Sequence, residues 1–254
     1  MNTIIEQLAQ KEYELFVVNT TAVGVQGRDG KYYTKYIAVT PFLLQNMILQ
    51  KGSLGCYQQK YRTNWIRWIC FDFDCKEKEN PKLHELYSKC IRPLTDFLRK
   101  NNIHYLQEFS GRRGIHIWIL FDEIITKEIG FAIINAILEK VPQLTEELNN
   151  GEWGLDIFPA TKVSATNVVG KHVKFPLSWH QNGGRSFLFE DEFQLQYDVD
   201  SEEFYCNQYC IMKNVKTENA EDLCRKLDIE ILEQKKKLYI RYEVAKGLSI
   251  SAEQ

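Results

Sequence analysis

The period of the hydrophobic and polar positions changes along the chain, and it predicts where strands and helices lie. Residues 65–74, WIRWICFDFD, form a nearly continuous aromatic and β-branched run, which is typical of a central strand covered on both faces. Residues 81–100 begin with proline and then repeat apolar residues at helical spacing, which predicts a long amphipathic helix. Residues 103–109 and 115–121 are strand-like and are joined by SGRRG, so they predict a β-hairpin.

The segments on either side of this centre carry weaker but similar patterns. They predict a helix over 3–15, a strand over 15–20, a turn at GRDGK, helices over 41–51 and 126–141, short strands over 173–177 and 186–190, and a charged helical stretch over about 216–246. Between residues 65 and 190 the order is β-α-β-β-α-β, which resembles a split βαβ, RRM-like sheet. We therefore expect an α/β (α+β) fold.

Composition narrows the class of protein. Hydrophobic content of 44% and charged content of 26% are ordinary for a soluble globular protein. No apolar run approaches the roughly eighteen residues of a membrane span, and the N-terminus shows no export signal. Seven scattered cysteines predict reduced thiols, so we expect a cytoplasmic protein that does not enter membranes. Cys206 and Cys210 with Cys224 lack a fourth partner at useful spacing, so no zinc site is predicted.

The net charge of −2 hides an uneven distribution. Residues 30–71 and 157–189 contain lysines and arginines but no acidic residue, whereas acids concentrate towards the C-terminal end. Such segregation suits an electropositive channel for an anionic partner on a nearly neutral body. Chance spacing of surface charge explains it equally well.

Asp72 and Asp74 end the run WIRWICFDFD. Residues two apart on a strand point to the same face, so the two carboxylates are expected close together. They repel each other unless a cation lies between them, and Mg²⁺ prefers hard oxygen ligands. The alternative is a strand end that simply enters solvent.

The hairpin loop is the second candidate for chemistry. It consists of Ser110, Gly111, Arg112, Arg113 and Gly114. Glycines let successive backbone N–H groups turn towards an anion, and arginines pair with phosphate oxygens. His116 follows at the start of the next strand. An exposed turn with ordinary basic residues and a core histidine remain the alternative.

Two further segments carry isolated charges in apolar surroundings. Asp156 lies within GLDIFP and needs a hydrogen-bonding role or a cation, although a cap before the proline is credible. Lys174 lies in VKFPL, with His180 and Arg185 soon after, and suggests an anion partner. A lysine that protects an edge strand is the routine alternative. Together the segments offer three carboxylates for two metal ions and a set of donors for a triphosphate.

The succession FDFD (71–74), SGRRGIHIW (110–118), LDIFP (155–159) and VKFPL…H…GGR (173–185) resembles the archaeo-eukaryotic primase (AEP) superfamily. It is most similar to the primase-polymerases of TOTE-type conflict systems and of CRISPR systems. The resemblance implies an N-terminal α/β unit (about 1–64) and an RRM-like module (about 65–200) that form one catalytic core, followed by a helical extension (201–254).

The resemblance also implies a role for each motif. The metal ligands for two Mg²⁺ or Mn²⁺ ions are Asp72, Asp74 and Asp156. The nucleotide's phosphates are contacted by residues 110–114, His116, Lys174, His180 and Arg185. The implied activity is template-dependent DNA synthesis from dNTP or NTP on a single-stranded or primed DNA template, and many members of the superfamily also start strands without a primer. Partners from CRISPR adaptation or other mobile-element defence are implied, and a monomer is expected.

Two other classes remain open from the sequence. A metal-dependent nuclease also uses paired aspartates, although the SGRRG loop and the Lys174 and His180 pair favour triphosphate handling. A catalytically inactive RRM-like module would bind single strands by stacking bases on aromatic side chains such as Trp118, without needing the aspartates.

Overall fold

The computed structural model describes residues 2–27, 29–160, 169–196 and 198–229. In these residues the helices are α1 (Asn2–Phe16), α2 (Pro41–Leu49), α3 (Leu83–Leu86), α4 (Arg92–Lys100), α5 (Lys127–Glu139), α6 (Pro142–Asn149), α7 (Glu202–Lys213) and α8 (Ala220–Lys226), with a π-helical turn (Tyr87–Ile91) between α3 and α4. The strands are β1 (Val23–Gln26), β2 (Tyr32–Lys35), β3 (Leu54–Tyr57), β4 (Trp65–Cys75), β5 (Leu106–Phe109), β6 (Gly114–Thr126), β7 (Trp153–Phe158), β8 (His172–Lys174) and β9 (Phe187–Phe189). The predicted mixed α/β fold is confirmed.

The larger sheet has five antiparallel strands in the order β7-β4-β6-β5-β9. Strands β4 and β6 occupy its centre, as expected for the continuously apolar run that β4 contains. The order β4, helices, β5, β6, α5, β7 along the chain has the β-α-β-β-α-β form that was predicted, but with a different last strand. That strand is β7, around Asp156, which was not predicted, and not one of the predicted strands over 173–177 and 186–190.

The smaller sheet has the order β2-β1-β3-β8 and is also antiparallel. Strand β8 belongs here, with Val173 opposite Cys56, and not to the larger sheet that the continuous pattern over 65–190 implied. A segment far along the chain therefore returns to the N-terminal strands. This pairing places Lys174 of the small sheet near the carboxylates of the large one.

The predicted strand over 15–20 is wrong. Helix α1 continues to Phe16, and residues 17–20 form no strand. The reason is that Phe16 extends the buried stripe of α1 at helical spacing and contacts Trp118 with ring centroids 5.1 Å apart. Trp68 donates its indole N–H to the Phe16 carbonyl at 3.0 Å, which holds the end of α1 against the large sheet.

Other boundaries differ by a few residues. The helix predicted over 81–100 begins at Leu83 and contains the π-helical turn, and Pro142 begins α6 as well as ending the preceding helix. Of the stretch predicted as helical over 216–246, α8 lies within the described residues and positions 230–246 lie outside them. The division into a core and a C-terminal extension stays a prediction. Among the described residues no helix is long and apolar enough to cross a bilayer.

Candidate active site

Strand register brings the three predicted carboxylates together on the large sheet. Asp72 of β4 lies directly opposite Asp156 of β7 on one side and His116 of β6 on the other. Directly opposed residues on antiparallel strands have Cβ atoms about 5 Å apart, and Asp74 shares the face of Asp72 because it lies two positions along. Side chains that are distant in sequence therefore form one cluster.

A glycine on the neighbouring strand β6 leaves room for the side chain of Asp74. This residue lies opposite Gly114 of β6 and Gly154 of β7. A Cβ atom at Gly114 would lie 2.5 Å from Asp74 Oδ1, closer than side-chain contacts allow. The glycine that ends the SGRRG loop is therefore required by the space that the Asp74 side chain occupies.

Each of the first two aspartates has a cationic neighbour from the second motif. His116 Nε2 lies 3.2 Å from Asp72 Oδ1, and Arg113 Nη2 lies 2.6 Å from Asp74 Oδ2. Arg113 also donates to the backbone carbonyl of Cys75. Asp156 is exposed. The basic groups thus lie against the carboxylates as well as beside the space that a substrate would enter.

Asp74 has an unusual proton affinity. Burial and the charge of Asp72 raise its pKa to about 6, although the Arg113 guanidinium opposes the shift. Crowded carboxylates of this kind are suited to a divalent cation, since a cation offsets their repulsion. As the side chains stand, no group of three His, Cys, Asp or Glu residues in the described part of the chain is arranged to hold a metal ion.

The SGRRG loop is braced by its own hydroxyl and by a second loop. Ser110 Oγ accepts from the Gly114 amide at 3.1 Å, and the Gly111 carbonyl accepts from the Gly184 amide at 2.6 Å. Gly111 has a φ of +89°, and a Cβ there would lie 2.5 Å from the Gly184 carbonyl oxygen. The two glycine-containing segments, 110–114 and 183–184, therefore pack backbone to backbone.

Lys174 and His180 face the carboxylates from the other side. The Lys174 ammonium group is buried and donates to the Ser110 carbonyl, and burial lowers its pKa to about 8. Burial and the charges of Lys174 and of the loop arginines lower the pKa of His180 to about 4. At neutral pH Lys174 is therefore largely charged and His180 is neutral.

These groups line a single cavity of about 280 Å³. Its lining residues are Tyr32, Asp72, Asp74, Ser110, Arg112, Arg113, His116, Asp156, Phe158, His172, Val173, Lys174 and His180. Gly111 and Gly114 do not line it and contribute through the path of the backbone. The structure thus brings together all of the predicted side chains except one.

Arg185 is the exception, and its predicted phosphate contact is corrected. Only 2% of its surface is exposed, and it does not line the cavity. Its guanidinium donates to the carbonyls of Leu177 (2.8 Å) and Ile48 (3.0 Å) and to Asp200 Oδ1 (2.7 Å). Because the preceding glycines pack against the SGRRG loop, the arginine side chain points into the protein and joins three segments there.

The sequence patterns missed three residues around the cavity. Glu108 of β5 is completely buried and contacts His116, and an isolated acid in the strand-like run IHYLQEF was the signal that could have identified it. Tyr32 and His172 line the cavity from the small sheet with ring centroids 4.7 Å apart. No local pattern marks them, because the pairing of the N-terminal strands with β8 brings them there.

Solved structures that resemble this fold at low similarity include a primase-polymerase domain and a polymerase domain. The AEP domain of the cyanophage S-2L primase-polymerase is 11% identical, with a TM-score of 0.39, over 78% of this chain and 89% of that one. The polymerase domain of Mycobacterium tuberculosis ligase D, in complex with DNA, is 12% identical, with a TM-score of 0.40, over 90% of this chain and 87% of that one. No curated protein matches the chain.

A protein-family model matches most of the chain. A family model described as the archaeo-eukaryotic primase domain of TOTE conflict systems matches residues 10–236. That range includes all four sequence motifs and every residue that lines the cavity. The chain therefore belongs to the archaeo-eukaryotic primase domain family of TOTE conflict systems.

Proposed function

We propose that this chain is a template-dependent DNA primase-polymerase that transfers a nucleotidyl group from a dNTP or NTP to a 3′-hydroxyl. The observation that carries the proposal is the register of three strands, which aligns Asp156, Asp72 and His116 in one row across the large sheet. Membership of the primase domain family supports the same activity.

Asp72, Asp74 and Asp156 are the proposed ligands of two Mg²⁺ or Mn²⁺ ions. The raised pKa of Asp74 supports this assignment, because burial and the charge of Asp72 both disfavour its ionised form and a bound cation would offset both. When bound, such ions activate a 3′-hydroxyl and stabilise a departing pyrophosphate. Arg113 would then be free to turn from Asp74 towards substrate phosphates, and His116 Nε2 would be free to donate to them without a change in ring orientation.

The triphosphate is proposed to bind between the SGRRG loop and β8. Ser110, Arg112 and Arg113 approach this space from one side, and Lys174 and His180 approach it from the other. His180 is a neutral imidazole at neutral pH, so it can donate one hydrogen bond without adding charge. Several cationic groups beside a carboxylate cluster can neutralise the charges of a triphosphate. This arrangement favours nucleotidyl transfer over nuclease activity.

A DNA template is proposed to run along β2 and the segment after it. Three aromatic side chains there are strongly exposed: Tyr33 (52%), Tyr36 (64%) and Phe42 (70%). Lys35 is exposed between them, and no acidic residue occurs from 30 to 71. Exposed aromatic rings stack bases and lysines attract phosphates, so this β2 strip (Tyr33, Lys35, Tyr36 and Phe42) suits a single strand.

Primer extension tests the proposal. The purified protein is incubated with Mn²⁺ or Mg²⁺, labelled dNTPs or NTPs and a primed template whose next bases are varied. We expect addition of the complementary nucleotide, dependent on the metal and abolished by EDTA. Shortened primers would instead support a nuclease, and strand binding without product would support an inactive binding module.

The same assay without a primer separates initiation from extension. An unprimed single-stranded template yields labelled products only if the chain joins two nucleotides unaided. Comparison of dNTPs with NTPs in both formats gives the sugar preference. We also propose that the chain associates with CRISPR or other defence proteins. Co-purification from cells that express the neighbouring genes tests this association.

A further inference from the structure

Glu108 lies beneath the cavity and reaches it only through another side chain. It is on β5, directly opposite His116 of β6, and none of its surface is exposed. It does not line the cavity. We propose that Glu108 is a positioning residue for nucleotidyl transfer, which acts by fixing the orientation of the His116 imidazole; this inference rests on the proposed function.

A single oxygen of Glu108 accepts two hydrogen bonds. His116 Nδ1 and Trp118 Nε1 each lie 2.8 Å from Glu108 Oε2. The two donors are two residues apart on β6, so they point to the same face of the sheet. The indole N–H therefore holds the carboxylate in place, and the carboxylate holds the imidazole.

The hydrogen bond to Glu108 fixes the direction in which the His116 ring points. With Nδ1 held by Glu108, the other ring nitrogen, Nε2, faces Asp72 at 3.2 Å and the cavity beyond it. Rotation of the ring by 180° about χ2 would break both contacts. A histidine held on one side by a carboxylate presents its second nitrogen in one direction, as metal-bound histidines do when an outer carboxylate orients them.

Stability alone does not account for a carboxylate at this position. The second oxygen, Oε1, has no hydrogen-bond partner among the described residues, and burial of an incompletely bonded carboxylate is unfavourable. A side chain without an acceptor would leave both buried N–H groups unpaired and the ring without a fixed partner. A carboxylate oxygen accepts from both N–H groups at once, which is the property that orientation of the ring requires.

The matched control is Glu12 on α1. It is also a completely buried glutamate, and neither of its carboxyl oxygens has a hydrogen-bond partner among the described residues. Glu12→Leu removes a buried carboxyl group without touching His116. Comparison of Glu108→Leu with Glu12→Leu therefore separates loss of orientation from loss of a buried acid.

The kinetic test is a double-mutant cycle in the primer-extension assay. We expect Glu108→Leu to lower kcat about 10- to 100-fold with little change in the KM for primed template, and Glu12→Leu to leave kcat near the wild-type value. In a His116→Asn background, Glu108→Leu should cause no further loss, because the residue through which it acts is gone. Equal losses in both backgrounds would overturn the proposal.

A second measurement does not depend on activity. Histidine side-chain NMR of ¹⁵N-labelled protein detects the hydrogen-bonded Nδ1 proton of His116, assigned by its absence from His116→Asn. We expect this resonance in the wild type and in Glu12→Leu, and its loss or a large shift in Glu108→Leu. An unchanged resonance in folded Glu108→Leu overturns the positioning role even if the wild type extends no primer, a result that would separately reject the proposed function.

Discussion

At Lys174 burial and local charge act in opposite directions. Burial lowers the pKa of its ammonium group to about 8, although the carboxylates of Glu108 and Asp72 favour the charged form. The group is therefore mostly cationic at pH 7 and mostly neutral above pH 9. On the proposed function, loss of this charge weakens nucleotide capture under mildly alkaline conditions.

The pH dependence of kcat/KM for the nucleotide tests this assignment. In the wild type we expect kcat/KM to fall as pH rises through about 8, because the free enzyme loses the Lys174 charge. Lys174→Arg keeps its charge over this range, since a guanidinium has a pKa above about 12. The alkaline fall should therefore move to higher pH in Lys174→Arg, and identical profiles would show that Lys174 is not the group that titrates.

Individual residues differed in how far sequence could predict them. Asp72 and Asp74 could be placed on one face because strand alternation is a local property. Arg185 could not be placed, because the direction of its side chain depends on how residues 183–184 pack against Gly111. Glu108 was overlooked because its role appears only when β5 and β6 are in register.

Among the elements, the SGRRG loop needs a glycine at position 111 for two reasons. The backbone there has a positive φ, and the Gly184 carbonyl lies close to it. Gly111 and Gly151 both have positive φ values, +89° and +83°. A Cβ at Gly111 would meet the Gly184 carbonyl, whereas a Cβ at Gly151 would meet no atom within 4 Å. The two glycines therefore separate conformational strain from steric conflict.

The two alanine substitutions should differ in stability and in nucleotide binding. Gly151→Ala is expected to lower the free energy of unfolding by about 1 kcal/mol, from the left-handed conformation alone. Gly111→Ala should lower it further, to a total of about 2–3 kcal/mol, and should raise the KM for the nucleotide as the loop shifts. Urea unfolding and steady-state kinetics measure these effects, and equal results for the two variants would contradict the steric argument.

Prediction of elements succeeded where the pattern was local. The central strand, the hairpin and helices α1, α2 and α5 follow from the spacing of apolar residues. The pairing of β8 with β3 does not, because residues more than a hundred positions apart meet there and no local pattern records their partner. For the same reason the sequence showed Lys174 as a lone lysine in a strand, without its position opposite the SGRRG loop.

On the scale of the whole molecule, the acid-free stretches lie beside the carboxylate cavity. Residues 30–71 supply the β2 strip, and Tyr32 of the same strand lines the cavity. Residues 157–189 supply Lys174 and His180. A net charge of −2 therefore coexists with local segments whose charged residues are all basic.

Binding of a single-stranded oligonucleotide should require the β2 strip and should weaken with salt. Tyr36→Ala is expected to reduce affinity about tenfold, since loss of one stacked base is worth roughly 1–3 kcal/mol. Lys35→Ala should reduce the magnitude of the slope of log affinity against log salt concentration by about 1, because one phosphate contact is lost. Fluorescence anisotropy measures both effects.

The matched control for this surface is Ile124→Ala. Ile124 is another exposed large apolar side chain, on β6. It lies outside the β2 strip, so its substitution should leave affinity unchanged. If Ile124→Ala and Tyr36→Ala weakened binding equally, the strip would not be the strand-binding surface.

The most direct test of the central claim is single-turnover addition of one nucleotide to a primed template. Asp72→Asn, Asp74→Asn and Asp156→Asn are compared with Asp122→Asn, which replaces an exposed aspartate of β6 away from the cavity. We predict a loss of at least about 10³-fold for each of the three cavity variants and a normal rate for Asp122→Asn. Metal-dependent, template-directed addition that survives all three cavity substitutions would contradict the account.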